Sequence, residues 1–312
     1  MKRVLTIAFL VLAMLLLAGC PPKAEPTVTG KAFVGGNRGL SLNFLAGAPP
    51  DSVFTGNPFS ISLQLENVGE YTIENAADAT VEITGINPPD FGTTKQNLIK
   101  DSPDPLQGAS IDSAGNIVKG ISTIVDFENL QYQKAISGTV PFPLIASVCY
   151  EYGTRAQSKI CVLKDLIGRT TEARFCDPNN QNIPSESSGA PVQIVSMGEN
   201  AIGSDKVAFT FKIRNAGTGR LHQQNTECAT AIPAQDKVWV EIADTGLGEL
   251  TCSGLKDGTA KTGYVTLFNN EATVRCTQVI NNPADFVKVV DINLRYSYKE
   301  SIQKTLQVKQ AG

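Results

Sequence analysis

The feature that most constrains this chain is a strand pattern that occurs twice. Phe59-Ser60-Ile61-Ser62-Leu63-Gln64-Leu65 alternates apolar and polar residues and runs into Asn67-Val68-Gly69, while Val207-Ala208-Phe209-Thr210-Phe211-Lys212-Ile213 runs into Asn215-Ala216-Gly217. Successive side chains of a strand point to opposite faces, so a period of two describes a sheet with one buried face. Two further blocks recur in the same order. Residues 78–83 match 236–242, and residues 145–162, with Tyr150 and Tyr152 inside, match 291–308, with Tyr296 and Tyr298 inside. This order implies an internal duplication. No amphipathic helix of three turns follows residue 20, and the pattern predicts an all-β chain of two tandem β-sandwiches. The tyrosines recur on one side of their strand in both copies, which points to a core role.

Upstream of the strands, Lys2 and Arg3 precede an uncharged apolar run from Val4 to Leu17 that closes in Leu17-Ala18-Gly19-Cys20. A positive flank, a short hydrophobic core and small residues before a cysteine have the form of a lipoprotein signal peptide, 1–19, whose removal leaves Cys20 open to acylation. An uncleaved N-terminal anchor helix is the other reading. Either way, the rest of the chain is expected at the extracellular face of the cell membrane. Pro21-Pro22-Lys23-Ala24-Glu25-Pro26 begins a stiff spacer over 20–38. The first sandwich is placed at 39–165 with a long insertion near 88–120, the linker at 166–189 and the second sandwich at 190–310. A length of 312 residues at 42% apolar content suffices for two such cores.

A formal charge of -3 without any basic stripe argues against nucleic acid as a partner. After Cys20, six cysteines remain: Cys149, Cys161, Cys176, Cys228, Cys252 and Cys276. An even number in an exported chain predicts three disulfides. A hairpin turn over Gly153 to Ala156 would bring Cys149 level with Cys161 on facing strands and pair them. Cys252 with Cys276 would close a short loop, leaving Cys176 with Cys228 to tie the linker to the second sandwich, one of three connectivities open to these four. No Cys-x2-Cys pair occurs and the single histidine, His222, has no helical partner, so neither a metal nor a cofactor is expected.

The sequence offers few candidates for chemistry. Ser253-Gly254-Leu255-Lys256 and Lys261-Thr262-Gly263 spell two elements of penicillin-binding enzymes, but they stand five residues apart in a Gly-rich stretch instead of on a helix and a distant strand. His222 lacks an orienting carboxylate and a nucleophile in sequence and reads as an exposed loop residue. Gly35-Gly36-Asn37-Arg38-Gly39 lacks the Lys-Ser/Thr ending of a phosphate loop. Asp90, Asp101, Asp104 and Asp112 do not follow a calcium-loop spacing. Within the insertion, however, Asp101 and Asp104 are candidate contact residues, because long loops on a rigid sandwich are where binding usually resides. Trp239 is the other candidate. Its alternation partners Lys237 and Glu241 turn it outward, whereas a sandwich core would also accept a tryptophan; both positions stay open.

Leu42-Asn43-Phe44-Leu45-Ala46-Gly47-Ala48-Pro49-Pro50, Leu65-Glu66-Asn67-Val68-Gly69, Val148-Cys149-Tyr150 through Ile160-Cys161-Val162 and Gly189-Ala190-Pro191-Val192 resemble secreted lipoproteins of small-genome archaea. That resemblance implies two immunoglobulin-like modules of the adhesion or S-layer-associated type and carries no catalytic residues. The expectation is a membrane-anchored, non-enzymatic surface protein with a binding or envelope-structural role. Its partners would be membrane lipid through acylated Cys20 and a cell-surface protein or envelope glycan. Two rivals are a filament or lattice subunit assembling through strand edges, and an accessory subunit or undetected hydrolase with a polar cleft of convergent carboxylates between its halves.

Overall fold

Two alternating runs, Thr139–Val162 and Phe286–Lys309, each continue as a single strand for 24 residues. The computed structural model describes residues 31–168, 175–228 and 231–311, and its strands are numbered in chain order. The first half holds β1 (Leu40–Phe44), β2 (Ser52–Phe54), β3 (Pro58–Asn67), β4 (Ala79–Thr84), β5 (Ile99–Asp101), β6 (Ser110–Ile111), β7 (Ile117–Val118), β8 (Ser122–Gln131) and β9 (Thr139–Val162). The second holds β10 (Glu186–Ser187), β11 (Val192–Ala201), β12 (Lys206–Asn215), β13 (Arg220–His222), β14 (Lys237–Ile242), β15 (Leu250–Ser253), β16 (Thr262–Thr266), β17 (Glu271–Val279) and β18 (Phe286–Lys309).

β9 and β18 pair antiparallel along their whole length, from Thr139 opposite Lys309 to Val162 opposite Phe286. At about 3.3 Å per residue the ribbon is roughly 80 Å long. β4 and β5 extend it beyond β9, and β14 and β16 extend it beyond β18, within a nine-stranded sheet that also takes in β2, β10 and β13. The two halves share this sheet, and from Ala32 onward the chain is one compact unit. Leu144, Ala146, Val148, Tyr150, Tyr152, Ala156, Ile160 and Val162 are all buried, so the even-numbered face of β9 looks inward along the whole ribbon. Against it pack the three-stranded sheet β1-β3-β8 in the first half and the four-stranded sheet β11-β12-β17-β15 in the second, within one continuous apolar cluster.

The centre of that inner face explains the repeated Asn-x-Gly. Tyr152 donates its hydroxyl to Asn67 Oδ1 at 2.9 Å, and Tyr298 donates to Asn215 Oδ1 at 2.9 Å. The other two rings follow the same relation: the Leu40 N–H donates to the Tyr150 hydroxyl at 3.3 Å, and the Val192 N–H to that of Tyr296 at 3.4 Å. All four tyrosines are fully buried and meet edge-on or tilted. A side chain at Gly69 would collide with the Tyr152 hydroxyl, and one at Gly217 with the Tyr298 hydroxyl. The motif is thus an acceptor followed by the space its donor needs.

Several expectations are corrected. No hairpin turn forms at Gly153 to Ala156, because the strand continues to pair with the other copy. Cys149 and Cys161, twelve residues apart on one straight strand, stand roughly 40 Å from each other, whereas a disulfide needs Cα atoms within about 7 Å. The bonds formed are Cys149–Cys228, with Cα atoms 5.9 Å apart, and Cys161–Cys176, at 5.7 Å, in place of Cys149–Cys161 and Cys176–Cys228. Cys252 is bonded to Cys276, its direct register partner between β15 and β17.

The lipid partner and the lipid-anchored location at the membrane surface are corrected as well. Six of the seven cysteines are consumed in these three disulfides, so no thiol among the described residues is left for acylation. Among the described residues no helix is long and apolar enough to cross a membrane. Cys20, the signal segment 1–19 and most of the spacer lie outside the described residues.

One buried carboxyl is poorly served. Glu199 on β11 is fully buried; its Oε2 accepts the Cys161 N–H at 2.8 Å, and its Oε1 has no hydrogen-bond partner among the described residues. Burial raises its pKa from an ordinary 4.5 to about 8.

Two outcomes follow from these contacts. Tyr152→Phe and Tyr298→Phe should each lower the unfolding free energy by about 1–2 kcal/mol, and Gly217→Ala should lower it further because the hydroxyl has nowhere to move; urea midpoints measure all three. Between pH 4.5 and about 8 the unfolded Glu199 releases its proton while the folded one keeps it, so stability should fall across that window as pH rises. Glu199→Gln should flatten that slope in a pH series of thermal unfolding.

Candidate functional site

With the even-numbered side of the ribbon buried, its odd-numbered side and the matching residues of β14 and β16 form an outer face. Two clefts lie on this face. The first, about 440 Å³, is floored by Thr80 and Glu82 of β4, Ser147, Cys149 and Glu151 of β9 and Lys299 of β18, and its wall is Asn225 and Glu227 from the second half. The second, about 430 Å³, is floored by Gly153 and Arg155 of β9 and Asn293 and Arg295 of β18, and its wall is Glu70, Tyr71 and Glu74 from the first half. Each half therefore sends a loop across the other.

The first cleft is acidic, with Asp78, Glu82, Glu151 and Glu227 around one cation, Lys299, which stands 3.9 Å from Glu82. Glu151 Oε1 accepts the Ser297 hydroxyl at 2.5 Å and the Asn225 N–H at 2.8 Å. Burial raises the pKa of Glu151, and those two hydrogen bonds oppose the rise. The Cys149–Cys228 bond fastens the loop that carries Asn225 and Glu227 to the floor.

The second cleft opens onto a row of side chains set by strand register. Gly153 on β9 stands opposite Arg295 on β18, Arg295 opposite Trp239 on β14, and Trp239 opposite Tyr264 on β16. Trp239 and Tyr264 meet edge-on with ring centroids 4.9 Å apart. At the other end, Tyr71 lies where β9 is uncovered between β4 and β10, its ring 4.7 Å from the Arg295 guanidinium. A side chain at Gly153 would press on both Tyr71 and Arg295, which is why a glycine interrupts the strand there. Two residues along, a parallel row is polar: Arg155, Asn293, Glu241 and Thr262. Among the described residues neither Arg155 nor Arg295 forms an ion pair.

Of the residues singled out in sequence, Trp239 lies on this outer face, half-buried, with Val238 and Val240 turned into the core. Asp101 and Asp104 do not reach either cleft: Asp101 accepts the Thr80 hydroxyl at 2.7 Å, and Asp104 accepts that of Thr123 at 2.9 Å. Asp112 caps a turn through Ala114 and Asn116, and Asp90 stands 3.8 Å from Lys134. His222 is buried at the end of β13, not exposed in a loop. Ser253 donates to the Arg275 carbonyl and Lys261 pairs with Asp244, so the penicillin-binding matches are ordinary surface contacts. Among the described residues no group of three or more His, Cys, Asp or Glu could hold a metal ion. Sequence reading missed Tyr71, Arg155, Arg295 and Tyr264. The one signal for them was the odd parity of Arg155 and Arg295 along their strands.

No protein-family model matches the chain, and no curated protein matches it. Among solved structures, it is similar to a chain from the structure of manganese lipoxygenase of Gaeumannomyces graminis with partial zonadhesin of Komagataella pastoris, at 8% identity and a TM-score of 0.18 over 86% of this chain and 92% of that one. It is also similar to the N-terminal region of an enterococcal surface protein, at 8% identity and a TM-score of 0.17 over 93% of this chain and 97% of that one. Escherichia coli alpha-2-macroglobulin aligns at 12% identity and a TM-score of 0.15, over 89% of this chain but 23% of that one. Likeness at this level carries no argument about fold or function.

Replacing Cys149 and Cys228 together by serine should free the wall of the acidic cleft. Amide exchange at Asn225 should quicken while the strands around Cys252 and Cys276 keep their protection, as read by hydrogen-exchange mass spectrometry.

Proposed function

We propose that this chain is a non-enzymatic accessory subunit that holds a ligand or partner on the outer face of its shared sheet. One observation carries this reading: both clefts are built from residues of both halves, with Asn225 and Glu227 over β4 and β9, and Tyr71 and Glu74 over β18. A surface that exists only when the two copies interlock is what a duplicated binding module would gain from sharing a ribbon. Each copy is read as a derivative of an immunoglobulin-like sandwich whose last strand has been extended into its neighbour. The matched bonds Tyr152 to Asn67 and Tyr298 to Asn215 support that descent.

Filament assembly through strand edges has less support. The free edge strand β8 carries Asp126, Glu128 and Asn129, the last in a left-handed conformation at a register shift, and the edge strand β11 is also irregular between Ile194 and Ser196. Charges and bulges on edges discourage pairing with another chain. A hydrolase would have to use the carboxylates of the acidic cleft, with Glu151 as its proton donor.

Trp239 is the single tryptophan of the chain and stands on the proposed face, so its emission reports binding there directly. Screening soluble saccharides and peptides should yield a ligand that shifts this emission without being consumed. A substrate turned over by the protein, with turnover lost in Glu151→Gln, would replace the accessory reading with the hydrolase one.

A further inference from the structure

Resting on that binding reading, we infer that the row Tyr71, Arg295, Trp239 and Tyr264, with Arg155, Asn293, Glu241 and Thr262 beside it, is a site for an acidic saccharide. The row crosses three inter-strand steps at 4.7–4.9 Å each, a platform of roughly 14 Å, long enough for an oligomer rather than a single ion. Its composition is divided by chemistry. Aromatic faces carry negative charge density and accept the weakly positive C–H face of a pyranose ring, and Trp239 and Tyr264 place two such rings next to each other, inclined at 75°. Hydroxyls need donors and acceptors within reach of that ring, which the adjacent row provides as the amide of Asn293, the carboxylate of Glu241 and the hydroxyl of Thr262.

The acidic character of the ligand follows from the arginines. Arg295 has its guanidinium 4.7 Å from the Tyr71 ring and has Trp239 as its register neighbour, so it stands within the aromatic row. Arg155 is anchored against the Phe33 ring at 5.9 Å and ends the polar row. Glu70 and Glu74 line the same cleft, but the Glu70 carboxylate is taken up by the N–H groups of Val34, Gly35 and Gly189, and among the described residues no carboxylate lies within ion-pair distance of either arginine; a guanidinium matches a carboxylate through two parallel hydrogen bonds. A neutral saccharide would offer the two arginines single hydroxyl acceptors without the charge-assisted pair. An acidic peptide would satisfy the arginines but would not need an aromatic row flanked by small polar groups. The acidic cleft on the same face adds direction, since its carboxylates repel a polyanion from that end of the face and leave it the arginine row.

The test titrates the full chain with an oligogalacturonate, a neutral maltooligosaccharide of equal length and a polyglutamate peptide, reading Trp239 emission and calorimetric heat. The inference expects oligogalacturonate to shift the emission and the neutral oligomer to bind more weakly by about tenfold or more. Arg295→Gln and Arg155→Gln should each weaken oligogalacturonate by a similar factor and bring the two saccharides closer together, with thermal unfolding confirming the fold of each variant. Tyr264→Ser, at the far end of the row, should weaken both saccharides alike. Equal binding of the two saccharides, or oligogalacturonate binding unchanged in both arginine variants, overturns the inference. So does a polyglutamate response that matches the oligogalacturonate one, which would assign the face to acidic peptides and leave the accessory reading standing. Turnover of any probe with loss in Glu151→Gln would instead remove that reading itself.

Discussion

Everything in this molecule hangs on the antiparallel pairing of β9 with β18. The ladder runs unbroken from Thr139 opposite Lys309 to Val162 opposite Phe286, and its midpoint is the pair Glu151 and Ser297, around which the two copies are related by a local two-fold. Four tyrosines crowd that midpoint on the inner face because each copy brings two, and each copy also brings one Asn-x-Gly to receive a hydroxyl. A buried phenol needs a partner; the asparagines supply two of them, and the first residues of β1 and β11 supply the others through their backbone. The polar centre of the core thereby fixes the register of the ladder. A slip of either strand by one residue would turn its two tyrosines to the outer face and its odd-numbered side chains into the core.

Symmetry governs the inner face and has been lost on the outer one. At the position of Cys149 in the first copy stands Arg295 in the second, so a disulfide anchor in one cleft corresponds to one of the two arginines of the other. Gly153 on the sheet lies beneath Tyr71 of a loop, while at the related place Lys299 lies beneath Gly219. The bulky partner has changed sides, from loop to strand. These exchanges change the charge, giving an acidic cleft in one half and, in the other, one where two arginines stand with two glutamates and Tyr71. Packing constrains only the inner side of a two-layer sheet, so its outer side was free to diverge.

This division also separates what was legible in the sequence from what was not. Alternation in 59–65 and 207–213, the recurrence of the tyrosines and the duplication itself are local patterns, and each corresponds to an element found. The continuity of β9 through Gly153-Thr154-Arg155-Ala156 is not local. A hairpin and a straight strand impose the same period of two on either side of those residues, and the choice between them is made by a partner strand about 146 residues away. Once the straight strand was read as a hairpin, the pairing of Cys149 with Cys161 followed and was wrong by the length of half the ribbon. The arginine and aromatic row was hidden for the same reason, because its four members come from three strands and one loop and become neighbours only through register. Asp101 and Asp104 mark the opposite error: loop acids that sequence made conspicuous are occupied by the hydroxyls of Thr80 and Thr123.

A shared ribbon also has consequences for how the outer face behaves. Two sandwiches joined by a flexible linker would let a cleft between them open and close, and part of any binding energy would go into fixing their orientation. Here the halves cannot rotate against each other without breaking a ladder 24 residues long, and both cleft walls are tied down, one by Cys149–Cys228 and the other by Glu70, whose carboxylate accepts the N–H groups of Val34, Gly35 and Gly189. Register then holds Arg295 next to Trp239, and Trp239 next to Tyr264, before any ligand arrives. The same ladder that determines the fold therefore sets the spacing of the groups that would recognise a ligand, and selectivity on the proposed face would rest on rigid placement rather than on closure.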